Sequence, residues 1–524
     1  MTAAGDERVQ YNAADDLIGR NLLAGRGDKV AVIDRDGAWT YAALDERVNR
    51  AANALTGLGL QMEDRVLLCL LDTVDFPALF LGAIRAGIVP IPVNTLLTAK
   101  EYDYMLRDSR AKALVVSAPL LSQVSPILSD QPFLRTVMVA GGEPPPGMAD
   151  LSGLLDQAEG SFRTAPTGPD DICFWLYTSG STGKPKGAVH LQSHLIRTAE
   201  LYAQPVLGIR TDDVVFSGAK LFFAYGLGNG LTFPFSVGAT TCLLDGRPTA
   251  QAVSDMLRRH RPSIFYGVPT LFGMLLASEH LPAREELNLR RCTSAGEALP
   301  AELGRRWKER TGCDILDGIG STEMLHIFVS NSPGDIALGT SGRPVPGYEV
   351  RIVGDDGQPV PPGEPGELQV KGPTSAAFYW NQRERSRHTF LGEWTRTGDK
   401  YRQTEDGHYV FCGRSDDMLK VGGIYVSPFE VENAVLAHEA VLEAAVIGSA
   451  DHDGLIKPKA YIVLAPGHEP SPALAEDIQA FVKRTLASYK FPRWIEFVPE
   501  LPKTATGKVQ RFKLRELDAI EHAA

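Results

Sequence analysis

The sequence predicts an α/β protein: a large N-terminal part of mostly parallel strands covered by helices, followed by a small α+β domain. Three observations carry this. At 524 residues the chain is too long for a single hydrophobic core. Strand-like and helix-like segments alternate through its first third, the pattern of βα units that feed a parallel sheet. The last stretch, Ile424–Ala524, alternates helix and strand over roughly 100 residues, the size of a separate small domain.

The elements follow in order. Lys29–Ile33 and Arg65–Leu71 are short aliphatic runs of strand length, and Tyr41–Leu58 and Asp75–Ala86 read as the helices between and after them. Glu101–Leu106 reads as helical, Ala113–Ser117 as extended, Pro119–Leu128 as helical and Thr136–Ala140 as extended. Gly141–Pro169, rich in Gly, Pro and acidic residues, reads as a surface connection. Ile172–Tyr177 is apolar and aromatic and reads as a buried strand, and a helix is expected over Ser193–Ala203.

Composition narrows the class. Hydrophobic residues make up 44% and charged residues 22%, ordinary for a soluble globular protein. A net charge of −11 argues against a nucleic-acid surface. The six cysteines are scattered with no C-x-x-C spacing, which suits reduced, buried thiols in a cytoplasmic protein better than a disulfide frame or zinc site. Met1–Asp16 is polar and has no apolar signal core, and the most apolar stretch, Phe76–Val93, carries Pro77, Arg85, Pro90 and Pro92, so no membrane span is expected. Monomer and homodimer both remain open.

Chemistry concentrates in seven places. Tyr177–Gly187 places four Ser/Thr hydroxyls, three glycines and two lysines in eleven residues directly after a buried strand. Such a loop exposes backbone N–H groups to a phosphate, with hydroxyls and ammonium groups adding donors and charge. A flexible linker does not carry paired lysines and a proline there. The G-x-x-x-x-G-K-[ST] spacing is also absent, because Pro185 stands where Ser or Thr is required. Leu221–Gly228 (LFFAYGLG) is apolar and aromatic, with no cation or amide to meet a charged substrate group. Ser294–Pro300 and Gly392–Asp399, which contains Thr397–Gly398–Asp399, are turns of a common kind. Asp317–Glu323 (DGIGSTE), Gly413–Gly423 (GRSDDMLKVGG) and Pro502–Arg511 (PKTATGKVQR) are more distinctive.

Taken in chain order, from Tyr177 to Arg511, the motifs resemble those of the adenylate-forming superfamily: the acyl-CoA synthetases, the luciferases and the adenylation domains of peptide synthetases. The resemblance implies a large N-terminal adenylation domain of stacked βα sheets, 1–415, joined by a hinge at Asp416 to a mobile C-terminal domain, 416–524. It implies that Thr178, Ser179, Gly180, Ser181, Thr182, Gly183 and Lys184, with Lys186, hold the ATP phosphates. Gly296, Glu297 and Ala298 form the adenine-side turn, and Asp317, Gly318 and Ile319 lie along the base, Asp317 accepting from its amine. Ile319 departs from the family pattern, in which an aromatic residue stacks on adenine. Thr322 bonds the α-phosphate and Glu323 holds Mg²⁺, a hard cation that takes oxygen ligands. Asp399 and Arg414 share the ribose hydroxyls. Lys508 is the catalytic lysine, and Gly422 and Gly423 line the channel for the CoA thiol once the small domain has turned.

Within the superfamily the chain looks most like the aryl-CoA ligases, on Lys220–Gly230, Gly318–Asn331 (with Met324–Leu325–His326–Ile327) and Met418–Phe429. This implies an acyl pocket of Phe223, Ala224, Tyr225, Gly226, Gly320, His326 and Ile327. The expected reaction joins benzoate to CoA at the expense of ATP, through an adenylate and with Mg²⁺. The alternatives are 4-hydroxybenzoate as the acid, for which His326 is the candidate phenol partner, or an adenylate-forming enzyme that does not use CoA. His326 taken alone reads first as a satisfied core histidine, with a pocket-lining residue as the sharper alternative. Related synthetases are switched off by acetylation of the catalytic lysine, which makes a lysine acetyltransferase acting on Lys508 an expected partner.

Overall fold

Strands that are aliphatic on both faces must lie between two layers. Arg65–Cys69, Ala113–Ser117 and Thr136–Ala140 are such strands, and in the computed structural model they pair in parallel, flanked by Val89–Pro92 and Ala149–Asp150. The structure describes residues 9–178, 185–414, 417–421, 424–451, 455–487, 490–503 and 509–523. Helix Tyr41–Gly57 starts where the Thr40 hydroxyl accepts from the Ala43 amide, and it packs against helix Asp75–Arg85. Their closest approach is at Gly82, where a Cβ would lie 2.7 Å from the Ala51 Cβ and 2.8 Å from the Val48 carbonyl oxygen. Gly82→Ala is therefore expected to lower unfolding free energy by about 1–3 kcal/mol despite alanine's better helix propensity, measured by urea denaturation.

A second sheet, nine strands among the described residues, runs Arg343–Pro344, Ile327–Ser330, Ile315–Gly320, Arg291–Ser294, Ile264–Gly267, Val214–Ser217, Thr240–Cys242, Val30–Asp34, Gly37–Thr40. From Ile315–Gly320 to Val30–Asp34 every pairing is parallel, and only the edges are antiparallel. The candidate site motifs at 218–228, 294–300 and 317–323 follow or complete parallel strands of this sheet, at their carboxyl ends, where open α/β sheets bind ligands. Two smaller sheets depart from the parallel expectation. Ile172–Thr178, Lys186–Leu191 and Phe378–Tyr379 form one, and strands between Glu349 and Arg414 form the other, and both are antiparallel.

Two readings of the first third are corrected. Gly141–Pro169 is not all connection: strand Ala149–Asp150 and helix Leu151–Gln157 lie within it, and Leu151 and Leu155 are buried. The Asp150 carboxylate caps this helix from the Ser152 and Gly153 amides, and the two leucines four apart share its inner face. Pro119–Leu128 is not one helix but three short turns, Ala118–Leu120, Leu121–Val124 and Ser125–Asp130, broken where Pro119 and Pro126 start new turns. All six cysteines are buried free thiols, and no described helix is long and apolar enough to cross a membrane.

The C-terminal part has its own core. Strands Val441–Ala450, Ile456–Leu464 and Trp494–Phe497 pack with helices Pro428–Leu436 and Pro472–Thr485 around Val431, Val435, Val446, Ile462, Ile478 and Val482.

Candidate active site

The acyl-side wall leaves the nine-stranded sheet after Val214–Ser217. Phe223, Ala224 and Tyr225 are half-buried at the start of helix Ala224–Leu227. The Phe223 amide donates to the Lys220 carbonyl at 3.0 Å, and that same oxygen would lie 1.9 Å from a Cβ on Gly226. Gly226 is thus required by a backbone contact. Tyr225 shares a hydrogen bond of 2.6 Å between its hydroxyl and that of Thr293 on the neighbouring strand.

His326 is buried at 3% exposure among rings: the Phe233 centroid lies 4.4 Å away edge-on, and those of Tyr202 and Tyr225 lie 5.5 Å away. Its Nε2 meets the Asn229 side-chain oxygen at 3.2 Å, and burial pushes its pKa down to about 3. It is therefore neutral at physiological pH; its Nε2 is engaged, while its Nδ1 is buried with no hydrogen-bond partner among the described residues. Its ring nonetheless stands directly behind Tyr225, so it backs the wall. Gly318 and Gly320 have no room for side chains: a Cβ on Gly318 would lie 2.8 Å from the Val329 carbonyl oxygen, and one on Gly320 2.6 Å from that of His326. The chain returns as strand Ile327–Ser330 through Leu325 at φ +66°, and fully buried Ile327 covers Gly318.

On the phosphate side, strand Ile172–Thr178 leads into the loop and Lys186 stands on the returning strand; Ser179–Lys184 lie outside the described residues. The Lys186 Nζ is 3.2 Å from the Tyr379 hydroxyl, 4.3 Å over its ring and 3.9 Å from Glu323 Oε1. The Tyr379 hydroxyl donates to Glu323 Oε1 at 2.6 Å. Desolvation lowers the Lys186 pKa, and the Glu323 carboxylate opposes this. Burial, then the charge of Glu323, raises that of Tyr379. The backbone of the Thr322–Glu323 turn is held from two sides: the His190 ring meets the Thr322 carbonyl at 2.8 Å, and the Ala376 amide donates to that of Glu323 at 2.7 Å. Burial pushes His190 down to about 4, so the ring is neutral and donates from Nε2.

Along the base side, Asp317 is 4% exposed, and its Oδ1 finds no hydrogen-bond partner among the described residues. Burial raises its pKa well above the usual carboxyl value. Its Oδ2 is approached by the Leu299 amide at 3.5 Å, which brings the turn holding Gly296, Glu297 and Ala298 beside it. Gly296 takes φ +92°, and Ile319 is buried in the adjoining strand. Asp399 and Arg414 face each other across paired strands, Arg414 Nη1 donating to Asp399 Oδ1 at 2.8 Å.

Asp416, Gly422, Gly423 and Lys508 lie outside the described residues. The segment after Lys508 is anchored nonetheless: Arg511 grips Glu432 through Nη2 at 2.7 and 2.8 Å, and it lies near enough to Asp417 and Glu297 for their charges to raise its pKa.

Glu323 offers one carboxylate, and no group of three or more His, Cys, Asp or Glu side chains able to hold a metal occurs among the described residues. One carboxylate suits a Mg²⁺ ion that arrives on substrate phosphates and keeps several waters, rather than a resident cage.

Several of these residues were not foreseen. His190 and Tyr379 were missed, as were Tyr104 and Asp108 on helix Ala99–Ser109: Tyr104 donates to the Pro185 carbonyl at 3.2 Å, and Asp108 accepts from the Tyr177 hydroxyl at 2.8 Å. These two contacts hold the described residues on either side of the candidate phosphate loop. The i,i+4 spacing of Tyr104 and Asp108 put them on one helix face, but nothing in it pointed to the loop.

Comparison with known proteins places this geometry. The model of the AMP-binding enzymes matches residues 20–380, and that of the AMP-binding enzyme C-terminal domain matches 430–508. The chain is 62% identical to the benzoate–CoA ligase of Thauera aromatica, over 97% of this chain and 96% of that protein. It is 50% identical to the 4-hydroxybenzoate–CoA/benzoate–CoA ligase of Rhodopseudomonas palustris, over 97% and 94%. A crystal structure of a benzoate–CoA ligase from Burkholderia xenovorans superposes with a TM-score of 0.91 at 54% identity, covering 96% of this chain and all of that one.

Proposed function

The chain belongs to the AMP-binding enzyme family, and from that premise we propose that it is an ATP-dependent, AMP-forming ligase that converts benzoate, ATP and CoA to benzoyl-CoA, AMP and pyrophosphate through a benzoyl-adenylate. The observation that carries this is the 62% identity, over nearly the whole of both chains, to a benzoate–CoA ligase. The half-buried, uncharged wall Phe223–Ala224–Tyr225 supports it, because a flat apolar acid leaves no buried polar group unpaired there.

In the first half-reaction the carboxylate attacks the α-phosphate. Repulsion between anions and charge building on the phosphate oxygens form the barrier, and positioning and cations lower it. In our reading the loop Thr178–Lys184, with Lys186, holds the β- and γ-phosphates. Thr322 bonds the α-phosphate and Lys508 bridges it to the carboxylate. Gly296, Glu297 and Ala298 with Asp317, Gly318 and Ile319 take the base, and Asp399 with Arg414 takes the ribose. Glu323 would hold Mg²⁺, which neutralises phosphate charge when bound. The chain divides into domains 1–415 and 416–524. The smaller turns about Asp416 between half-reactions, withdrawing Lys508 and bringing Gly422 and Gly423 to the thiol channel. No described side chain stands out as the thiol's base, and a pKa near ~8.5 leaves a few per cent thiolate near neutral pH.

A substrate panel reporting pyrophosphate release tests the acid. Benzoate is expected to exceed 4-hydroxybenzoate in kcat/KM, because the wall Phe223–Ala224–Tyr225 is uncharged and its one hydroxyl, that of Tyr225, already meets Thr293. A higher value for 4-hydroxybenzoate, an acid that the name of the Rhodopseudomonas relative gives beside benzoate, would reverse the assignment.

We place the enzyme in the cytoplasm, as a monomer or homodimer. Lysine acetylation of Lys508 is expected to abolish adenylation by removing its charge. Peptide mapping after acetyltransferase treatment checks this, and lost activity with acetylation elsewhere would count against it.

A further inference from the structure

Asp72 lies in the loop after strand Arg65–Cys69, far in sequence from every motif, yet it reaches the acyl-side wall. It is 4% exposed, and both its oxygens lie 3.3 Å from the Leu221 amide nitrogen. The Lys220 ammonium stands 3.8 Å from its Oδ2 and also donates to the Leu244 carbonyl. The loop that carries Asp72 is itself held, by Leu71 donating to the Ser117 hydroxyl at 3.0 Å and Val74 donating to the Asp34 carboxylate at 2.8 Å. From Lys220 the constraint passes directly to the wall, through the Phe223 amide on its carbonyl and the contact of that oxygen with Gly226.

We propose that Asp72 is a positioning residue for the acyl pocket: through the Leu221 amide and the Lys220 ammonium, its carboxylate sets where Phe223, Ala224 and Tyr225 stand, and thereby the affinity for the aryl acid. This rests on the reading of those residues as the benzoate pocket.

The energetics separate positioning from mere structure. Burial pushes the Asp72 pKa up to about 6; Lys220 and the Leu221 amide oppose the shift, and Asp245, itself paired with Arg35 at 2.8 Å, adds to it slightly. A carboxyl whose folded pKa is raised costs stability as pH rises from its unfolded pKa of about 3.9 to the folded one, and the cost is complete above that. At neutral pH the fold therefore holds an ionised Asp72 at a loss, a loss expected where a buried charge serves a site rather than stability.

The test is steady-state kinetics on the full chain with benzoate and ATP varied in turn, alongside thermal unfolding at pH 7.5. Asp72→Asn is expected to raise KM for benzoate by about tenfold while KM for ATP stays within about twofold. Its Tm should be unchanged or higher. Lys220→Met, altered at the half-buried end of the pair, should raise KM for benzoate alone in the same way, and the double variant should lose less than the product of the two single losses. In the unaltered enzyme KM for benzoate should climb below about pH 6, where Asp72 protonates while benzoate remains ionised. An unchanged KM for benzoate in Lys220→Met, or equal rises for both substrates with a lower Tm in Asp72→Asn, would overturn the inference. Should Asp72→Asn not fold, Lys220→Met and the pH series decide it. An unaltered enzyme that does not turn over benzoate is a separate result, and would count against the proposed function instead.

Discussion

Lys508→Ala is expected to slow benzoyl-adenylate formation by on the order of 10²–10³ or more, the usual cost of losing one electrostatic contact to charge that develops in a desolvated site. The second half-reaction should survive. When synthetic benzoyl-adenylate and CoA are supplied, the variant should form benzoyl-CoA at close to the rate of the unaltered enzyme, because in the proposed mechanism the small domain carries Lys508 out of the site before the thiol attacks. Gly423→Leu should show the mirror image: adenylate and pyrophosphate appear in a burst, then turnover stalls, because a branched side chain obstructs the thiol channel. Rapid-quench measurement of each half-reaction in both variants checks the pair. Equal loss in both half-reactions for both variants would mean that alternation about Asp416 is not the mechanism. Arg511 on Glu432 anchors the following segment, so the alanine variant should leave the domain intact.

Glu323→Gln should lower kcat/KM for Mg·ATP by roughly 10–100-fold, the scale seen when a metal site loses a supporting interaction, and move the Mg²⁺ requirement to higher concentration. The substitution keeps the shape: the glutamine oxygen can still accept from Tyr379, whose hydroxyl now meets Glu323 at 2.6 Å, and the backbone bonds from His190 and Ala376 to this turn do not involve the side chain. Thermal unfolding should therefore change little, while the net charge presented to the cation falls by one unit. Pyrophosphate release titrated against Mg²⁺ at fixed ATP checks this, and an unchanged Mg²⁺ dependence would remove Glu323 from the metal site.

Much of this was legible in the residues alone. The α/β class, the two-part organisation and the order of motifs from Tyr177 to Arg511 follow from periodicity and local chemistry, which the chain carries wherever it goes. Ile172–Thr178 is a buried strand as its run of apolar residues requires, and Asp399 and Arg414, fifteen residues apart, do meet across a hairpin. Chain reversal by a hairpin is a local event with short reach. What could not be read were contacts made by folding distant segments together. Tyr104 and Asp108 meet Pro185 and Tyr177 on either side of the candidate phosphate loop, His190 holds the Thr322 carbonyl, Tyr379 bridges Lys186 to Glu323, and Asp72 reaches Lys220 across 148 positions of chain. None of these residues has a distinctive neighbour in sequence. Each does its work through one side chain whose partner comes from a distant part of the chain. The same holds for His326: its place in the chain allowed a core ring or a pocket-lining residue, and the three aromatic rings around it, the bond to Asn229 and the unpartnered Nδ1 appear only in the folded chain. Spacing along the chain fixes which residues share a strand or a helix face. Desolvation, charge state and partner depend on every segment that packs there, and so exist only once the chain has folded.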